Sequence, residues 1–165
     1  ITMSELMESI KNLREITGAG FLDCKKALQE TNLDIEKSID YLRKKGLAQA
    51  SKKTSREAKE GVIGVYSNDS FSVMIEINTE TDFAAKNDIF LNFIDEIGNF
   101  ALSVSDPSDL NIDTFMNINF NGRKAIEYFN DIISKIGENI VLRRIDYLLT
   151  DSNSEIFSYT HNAYK

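Results

Sequence analysis

The hydrophobic period of this sequence changes at Gly61, and that change limits the folds open to it. Before Gly61, apolar residues recur at helical spacing, as in Met3, Leu6, Met7, Ile10, Leu13 and Ile16. After it, Val62, Ile63 and Val65 lead to Tyr66, and Phe71, Val73, Ile75 and Ile77 alternate with Ser72, Met74 and Glu76. A period near 3.6 belongs to an amphipathic helix and a period of two to a half-buried strand. The chain is therefore expected to join a helical module to a body that contains a sheet. Charge divides at the same place. Residues 1–60 carry 12 Lys and Arg against 10 Asp and Glu, net +2, while the remainder carries 7 against 16, net −9. Two bodies of different electrostatic character are implied.

The first body reads as three short helices. The stripe from Met3 to Ile16 stops at Thr17-Gly18-Ala19-Gly20, where two close glycines let the backbone turn without Cβ clashes. A second helix runs from Phe21 or Leu22 to Glu30, with Cys24, Ala27 and Leu28 inward. Asp34 can cap a third, which has Glu36 in its first turn and Arg43-Lys44-Lys45 in its last, before Gly46. Ile35, Ile39 and Leu42 face its core. Phe21 and Leu22, beside the glycine turn, are the apolar residues most exposed by this reading, with a core position for Leu22 as the competing one. Residues 47–60, rich in Lys, Ser, Ala and Gln, read as a helical or flexible connector.

The second body, 61–165, is expected to be α+β. Ser67-Asn-Asp-Ser70 joins two strands into a hairpin. Phe90, Phe93, Ile94, Ile97, Ala101 and Val104 then mark a helix from Asp88, ended by Asp106-Pro107-Ser108. Asn111–Asn121 is polar and reads as irregular, with a short helix over Ile112–Met116. Ala125, Ile126, Phe129, Ile132, Ile133 and Ile136 mark a further helix closed by Gly137. Ile140–Leu148 reads as a strand, Thr150–Ser154 as a turn and Glu155–Thr160 as another strand. The expected architecture is a three-helix bundle over 1–46, then an antiparallel sheet made from two hairpins with helices packed on one face.

Between the first hairpin and the helix at Asp88 lies Asn78-Thr-Glu-Thr-Asp-Phe-Ala-Ala-Lys86. Short polar residues belong in such a turn, but Phe83 does not. It is either the first core residue of the helix or an anchor presented to another molecule. Asp82 beside it reads as an N-cap or first-turn acid, or as part of the same presented tip.

Composition narrows the function classes. A formal net charge of −7 argues against nucleic acid or an anionic membrane as the partner. One cysteine, Cys24, allows no intrachain disulfide and no Cys-based metal site, and suits a reducing compartment. No apolar leader and no run of about 18 apolar residues is visible, which leads to the expectation of a cytoplasmic protein off the membrane. There is no G-x-x-x-x-G-K-[ST] phosphate loop, and Gly18-Ala-Gly20 separates two helices instead of following a strand. A single His excludes H-E-x-x-H, and no triad can be assembled. No enzyme, no cofactor and no metal is the expectation.

Four segments together resemble one family. Glu76-Ile-Asn-Thr-Glu-Thr-Asp-Phe-Ala-Ala85 is similar to a signature of bacterial elongation factor Ts, and Leu13-Arg-Glu-Ile-Thr-Gly-Ala-Gly-Phe-Leu-Asp-Cys-Lys-Lys-Ala-Leu28 to an earlier one. Lys135-Ile-Gly-Glu-Asn-Ile140 with Arg143-Arg144, and Ser158-Tyr-Thr-His161, resemble later segments in the right order. The resemblance implies a nucleotide exchange factor for elongation factor Tu, the GTPase that carries aminoacyl-tRNA. It implies that the N-terminal bundle is of the ubiquitin-associated type and docks on the GTPase through Arg14, Phe21, Leu22 and Lys25. Thr81, Asp82 and Phe83 would form the exchange wedge, with the Phe ring entering an apolar pocket between two helices of the nucleotide domain. Ile136, Gly137 and His161 would press on the phosphate-loop side. The family continues with more sheet, often a coiled-coil or dimerisation insert, and a C-terminal helix. The core is therefore expected to be incomplete at its C-terminal end, and the full-length form to be a homodimer.

Two departures stand out. Ala84 occupies a position where the family usually has Val, so the wedge is expected to lose apolar bulk, and Thr79 replaces a Cys or other small residue. Two rival readings stay open: an adaptor module of the ubiquitin-associated type without exchange activity, and an RNA-binding translation protein using Lys52-Lys53. The overall acidity counts against the second.

Overall fold

A computed structural model describes residues 2–162. The chain divides into two units, Ile1–Lys53 and Thr54–Lys165.

The first unit is a three-helix bundle. Helix α1 (Met3–Thr17) begins with a reciprocal cap: Glu5 N–H donates to Thr2 Oγ1 and Thr2 N–H donates to the Glu5 carboxylate. It ends at Gly18, left-handed at φ 66°, whose N–H donates to Arg14 O at 2.8 Å. Helix α2 (Phe21–Glu30) and helix α3 (Ile35–Lys53) follow. Ile10, Leu13, Cys24, Ala27 and Leu28 form the core, with Leu6, Ile35, Ile39 and Leu42 partly buried against it. Burial pushes the Cys24 thiol up, so it behaves as a small core residue. Asp34 caps α3 through Lys37 N–H at 3.0 Å.

One boundary differs from expectation. Helix α3 does not stop before Gly46 but runs on to Lys53. A glycine inside a helix costs only ~1 kcal/mol against Ala, and Leu47, Ala48, Gln49 and Ala50 beyond it are strong helix formers. Ala50 is also buried, which rewards the continuation. The last turn holds Lys52 and Lys53 at the negative end of the dipole. Of the connector expected over 47–60, only 54–59 lacks helix or strand.

The second unit is built on strand β2 (Phe71–Thr79). Strand β1 (Glu60–Ser67) pairs antiparallel with it from Glu60↔Thr79 to Ser67↔Ser72. Strand β5 (Val141–Leu149) pairs antiparallel on its other edge, giving the order β1-β2-β5. Phe71, Val73, Ile75, Ile77 and Thr79 are buried on one face of β2, while Met74 is exposed on the other. The buried face is covered by α5 (Asp88–Leu102), preceded by the one-turn helix α4 (Asp82–Ala85). Phe129 of α7 (Ala125–Ile136) meets Phe93 of α5 edge to face at 4.9 Å. The fold class is α+β.

Two further corrections concern this unit. Glu155–Thr160 forms no strand, so the hairpin expected from Ile140 to Thr160 does not form. The turn before it does form, with Asp151 accepting from Asn153 N–H and Ser154 O–H. The chain beyond it finds no ladder partner, and Phe157 and Tyr159 stay exposed. Alternation makes a strand possible, but a paired edge makes it stable. The stretch expected to be irregular is also more ordered. It holds α6 (Ile112–Asn117) and a two-stranded pair, β3 (Asn119–Phe120) with β4 (Arg123–Lys124). Asn121 and Gly122 turn it, both left-handed, and Asn-Gly is itself a strong hairpin signal.

The Tyr66 ring lies against both Gly64 and Gly98, and its hydroxyl donates to Asp95 at 2.9 Å. A Cβ on Gly98 would overlap that ring. Gly98→Ala in mid-helix is therefore expected to destabilise by about 1–3 kcal/mol despite the better helix propensity of Ala, read from urea unfolding. Burial first, then the neighbouring Asp95 carboxylate, hold the Tyr66 phenol above its ordinary range. A raised phenol contributes stability that is complete below the unfolded pKa near 10 and is lost as pH climbs through the folded one. Stability should therefore fall more steeply above about pH 10 in the natural chain than in Tyr66→Phe, measured by unfolding across alkaline buffers.

Candidate functional site

The tip between β2 and α5 is shaped by small residues and caps. Thr79 is buried, and its hydroxyl donates to Thr81 O at 2.8 Å, which bends the chain out of the strand. Thr81, not Asp82, is the N-cap of α4: its Oγ1 accepts from Ala84 N–H at 3.3 Å. Ala84 and Ala85 are buried, and α4 packs on β1 and β2. With residues about 100° apart around the helix axis, two neighbours turned inward leave the preceding residue turned outward. Phe83 is 85% exposed. It is not the first core residue of the helix; that role falls to Phe90 in α5, which is fully buried. Asn87 then caps α5 by accepting from Ile89 N–H at 2.8 Å. Ala84 faces inward, so its small side chain takes nothing from the exposed tip, contrary to the expected loss of bulk. It lets α4 sit close to the sheet.

Asp82 lies on the solvent side of α4. Lys86 Nζ donates to its carboxylate at 3.0 Å, one turn along. That bond first, offset by slight desolvation, holds the Asp82 carboxyl below its ordinary range.

The turn after α7 is tied to this tip. Gly137 closes α7 in the left-handed region at φ 83°, and Ile136 before it is half-buried. Glu138 then reaches across. Its Oε2 accepts from Glu80 N–H and Thr81 N–H, each at 3.0 Å, and its Oε1 accepts from the Thr81 hydroxyl at 2.6 Å. Glu80 answers: its carboxylate accepts from Asn139 N–H at 2.7 Å and pairs with Arg56 at 3.6 Å. Asn139 Nδ2 donates to Arg56 O at 2.7 Å. The β2–β5 register slips between Glu76 and Ile77, leaving Arg143 as the extra residue, and its guanidinium donates to Asn78 Oδ1 and Ala58 O. Three chain segments thus meet at one turn.

Thr81, Asp82 and Phe83 are therefore linked to Ile136 and Gly137 through Glu138. No hydrogen bond or ring contact among the described residues brings His161 to them. His161 lies in the irregular segment after β5, and its ring Nδ1 is 3.1 Å from the Tyr159 hydroxyl. In the first unit, Arg14 and Phe21 border one shallow groove with Met7, Lys11 and Ala19. Leu22 is 77% exposed, which settles its position against the core, and Lys25 is half-buried nearby on α2. Glu80, Glu138 and Asn139 went unread in the sequence. All three lie in segments that carry the family resemblance, but nothing in the sequence pairs the two glutamates, 58 residues apart.

A family model described as Elongation factor TS matches residues 80–165, more than half of the chain. The chain belongs to the elongation factor Ts family. It is similar to elongation factor Ts of Paracoccus denitrificans, 46% identical over 93% of this chain and 50% of that protein. It is 46% identical to the Rickettsia typhi protein over 97% of this chain and 51% of that one. With the Brucella anthropi protein the identity is 42%, over 98% of this chain and 51% of that one. The chain spans about half the length of the curated relatives it matches. Among the described residues there is no group of His, Cys, Asp or Glu arranged to hold a metal ion, and no helix long and apolar enough to cross a membrane.

Because Phe83 has almost no packing partner, Phe83→Ala should change unfolding free energy by less than about 0.5 kcal/mol. Phe90→Ala, in the core a few residues on, should cost about 3–5 kcal/mol. Parallel urea titrations of the two variants check the contrast.

Proposed function

We propose that this chain is a guanine-nucleotide exchange factor for elongation factor Tu, acting in translation elongation without covalent chemistry. The observation that carries the reading is Phe83: a large aromatic side chain in a member of this family, 85% exposed on a turn fixed by hydrogen bonds. Folding gains about 1.5–3 kcal/mol from burying a Phe, so leaving one out calls for another use. Large rigid aromatics with few rotatable bonds are typical anchors at interfaces.

In P-loop GTPases much of the nucleotide's hold comes through Mg²⁺ bridging phosphate and protein oxygens. On this reading the Phe83 ring enters an apolar pocket of the GTPase. Asp82 reorients polar groups beside it, and the metal-binding segment is displaced. Thr81 caps the turn that carries both. Ile136, Gly137 and His161 press on the phosphate-loop side. Arg14, Phe21, Leu22 and Lys25 dock the N-terminal bundle on the same GTPase and raise the effective concentration of the wedge. Coupling is reciprocal: a factor that weakens GDP binding is itself weakened by GDP, which lets the cycle turn over. The family model matches 80–165, and the elongation factor Ts relatives match nearly the whole chain, which favours this reading over an adaptor built on the bundle alone.

The test is release of a fluorescent GDP analogue from elongation factor Tu. The chain should accelerate it, and Phe83→Ala should remove most of the acceleration while the variant stays folded. Equal acceleration by the variant would refute the wedge.

A further inference from the structure

We infer that Glu138 is the positioning residue that aims the Phe83 tip. The inference rests on the exchange reading above and adds the group that orients its wedge. Phe83 is too exposed for packing to direct its ring, so its direction comes from the backbone of α4. That backbone is set by Thr81, and Thr81 is set by Glu138. The single hydroxyl proton of Thr81 points to Glu138 Oε1 at 2.6 Å, which leaves a lone pair of Oγ1 facing Ala84 N–H at 3.3 Å. One carboxylate thereby fixes the rotor of the capping hydroxyl. The same carboxylate takes the N–H groups of Glu80 and Thr81, so two successive peptide planes are held as well. Hydrogen bonds to an ionised acceptor are roughly twice as strong as neutral ones.

Local helix stability does not explain an acid at this position. Glu138 follows Gly137 at the C-terminal end of α7, where the helix dipole disfavours a negative charge. What it gains is three donors from a turn far away in sequence. The tie is also returned. Glu80 accepts from Asn139 N–H at 2.7 Å, so the α7–β5 turn cannot shift without moving the end of β2. Ile136 and Gly137 are adjacent to the same tie. The two halves of the proposed contact surface are therefore held at a fixed spacing by a pair of glutamates.

The experiment compares the natural chain with Glu138→Ala, Glu138→Gln and Phe83→Ala, well below their unfolding temperatures. It measures GDP-analogue release from elongation factor Tu over a range of factor concentrations, and backbone amide hydrogen exchange in the free chain. Glu138→Ala should lose amide protection at Glu80 and Thr81 while Ile75 and Ile77 in β2 keep theirs. Its maximal release rate should fall roughly ten- to a hundredfold, as for a reacting geometry displaced by about 1 Å. The loss should fall on the maximal rate more than on the half-saturating concentration, because the apolar tip is still present. Glu138→Gln keeps one carbonyl oxygen and should recover part of both readouts. Natural release rates with Glu138→Ala, alongside a silent Phe83→Ala, would overturn the positioning role and leave the wedge standing. Unchanged protection at Glu80 and Thr81 would overturn it too. If the natural chain itself fails to accelerate release, the exchange reading falls, and the amide data alone judge whether Glu138 holds the tip.

Discussion

Strand β2 is paired along both edges and covered on one face, and what the second unit displays hangs from its C-terminal end. Phe71, Val73, Ile75 and Ile77 are each buried to within a few per cent. Burial on that scale stabilises by about 1.5–3 kcal/mol per side chain, and the ladder bonds to β1 and β5 hold the strand's register. A strand fixed on three sides is a poor place for motion, so Thr79 at its end is a firm base. From there each step out is short: the Thr79 hydroxyl to Thr81 O, the Thr81 cap on α4, the buried pair Ala84 and Ala85, the Asn87 cap on α5.

Much of this was legible in the sequence, and the parts that were not share a cause. Alternation from Phe71 to Ile77 fixes the strand and its buried face, because the pleat has a period of two whatever lies beside it. The helices at Met3, Asp88 and Ala125 were legible for the equivalent reason. Asp34 and Gly137 marked their helix ends through local chemistry. Gly46 misled because a lone glycine weakens a helix by less than its neighbours strengthen it, and the burial of Ala50 is a tertiary fact. Glu155–Thr160 misled in the opposite sense. Its residue types suit a strand, but strand formation needs an edge to pair with. Asn121-Gly122 was a local signal that went unread.

The candidate site divides the same way. That a Phe stood in a polar turn was visible; whether it was core or display was not, since that depends on which side of α4 faces the sheet. The small size of Ala84 looked like a subtraction from the tip and is instead what lets α4 settle on β1 and β2. The Glu80–Glu138 tie could not be read at all. It joins positions 58 residues apart, and each acid alone resembles an ordinary solvated charge.

Display and rigidity are linked by the cost of binding. Association loses roughly 0.5–1.5 kcal/mol for each flexible side chain it immobilises, and more for loops that must order. A tip already held by caps and by Glu138 leaves only the Phe83 side chain to settle. The neighbouring acid follows a complementary logic. Asp82 is paired with Lys86, one turn away on the same exposed surface. An exposed pair of this kind is screened by solvent, so Lys86 orients the carboxylate without holding it tightly. The apolar half of the tip is thus held firmly through the backbone, and the charged half loosely through a side chain. That arrangement suits the proposed function, in which the ring is seated first and polar partners exchange around it.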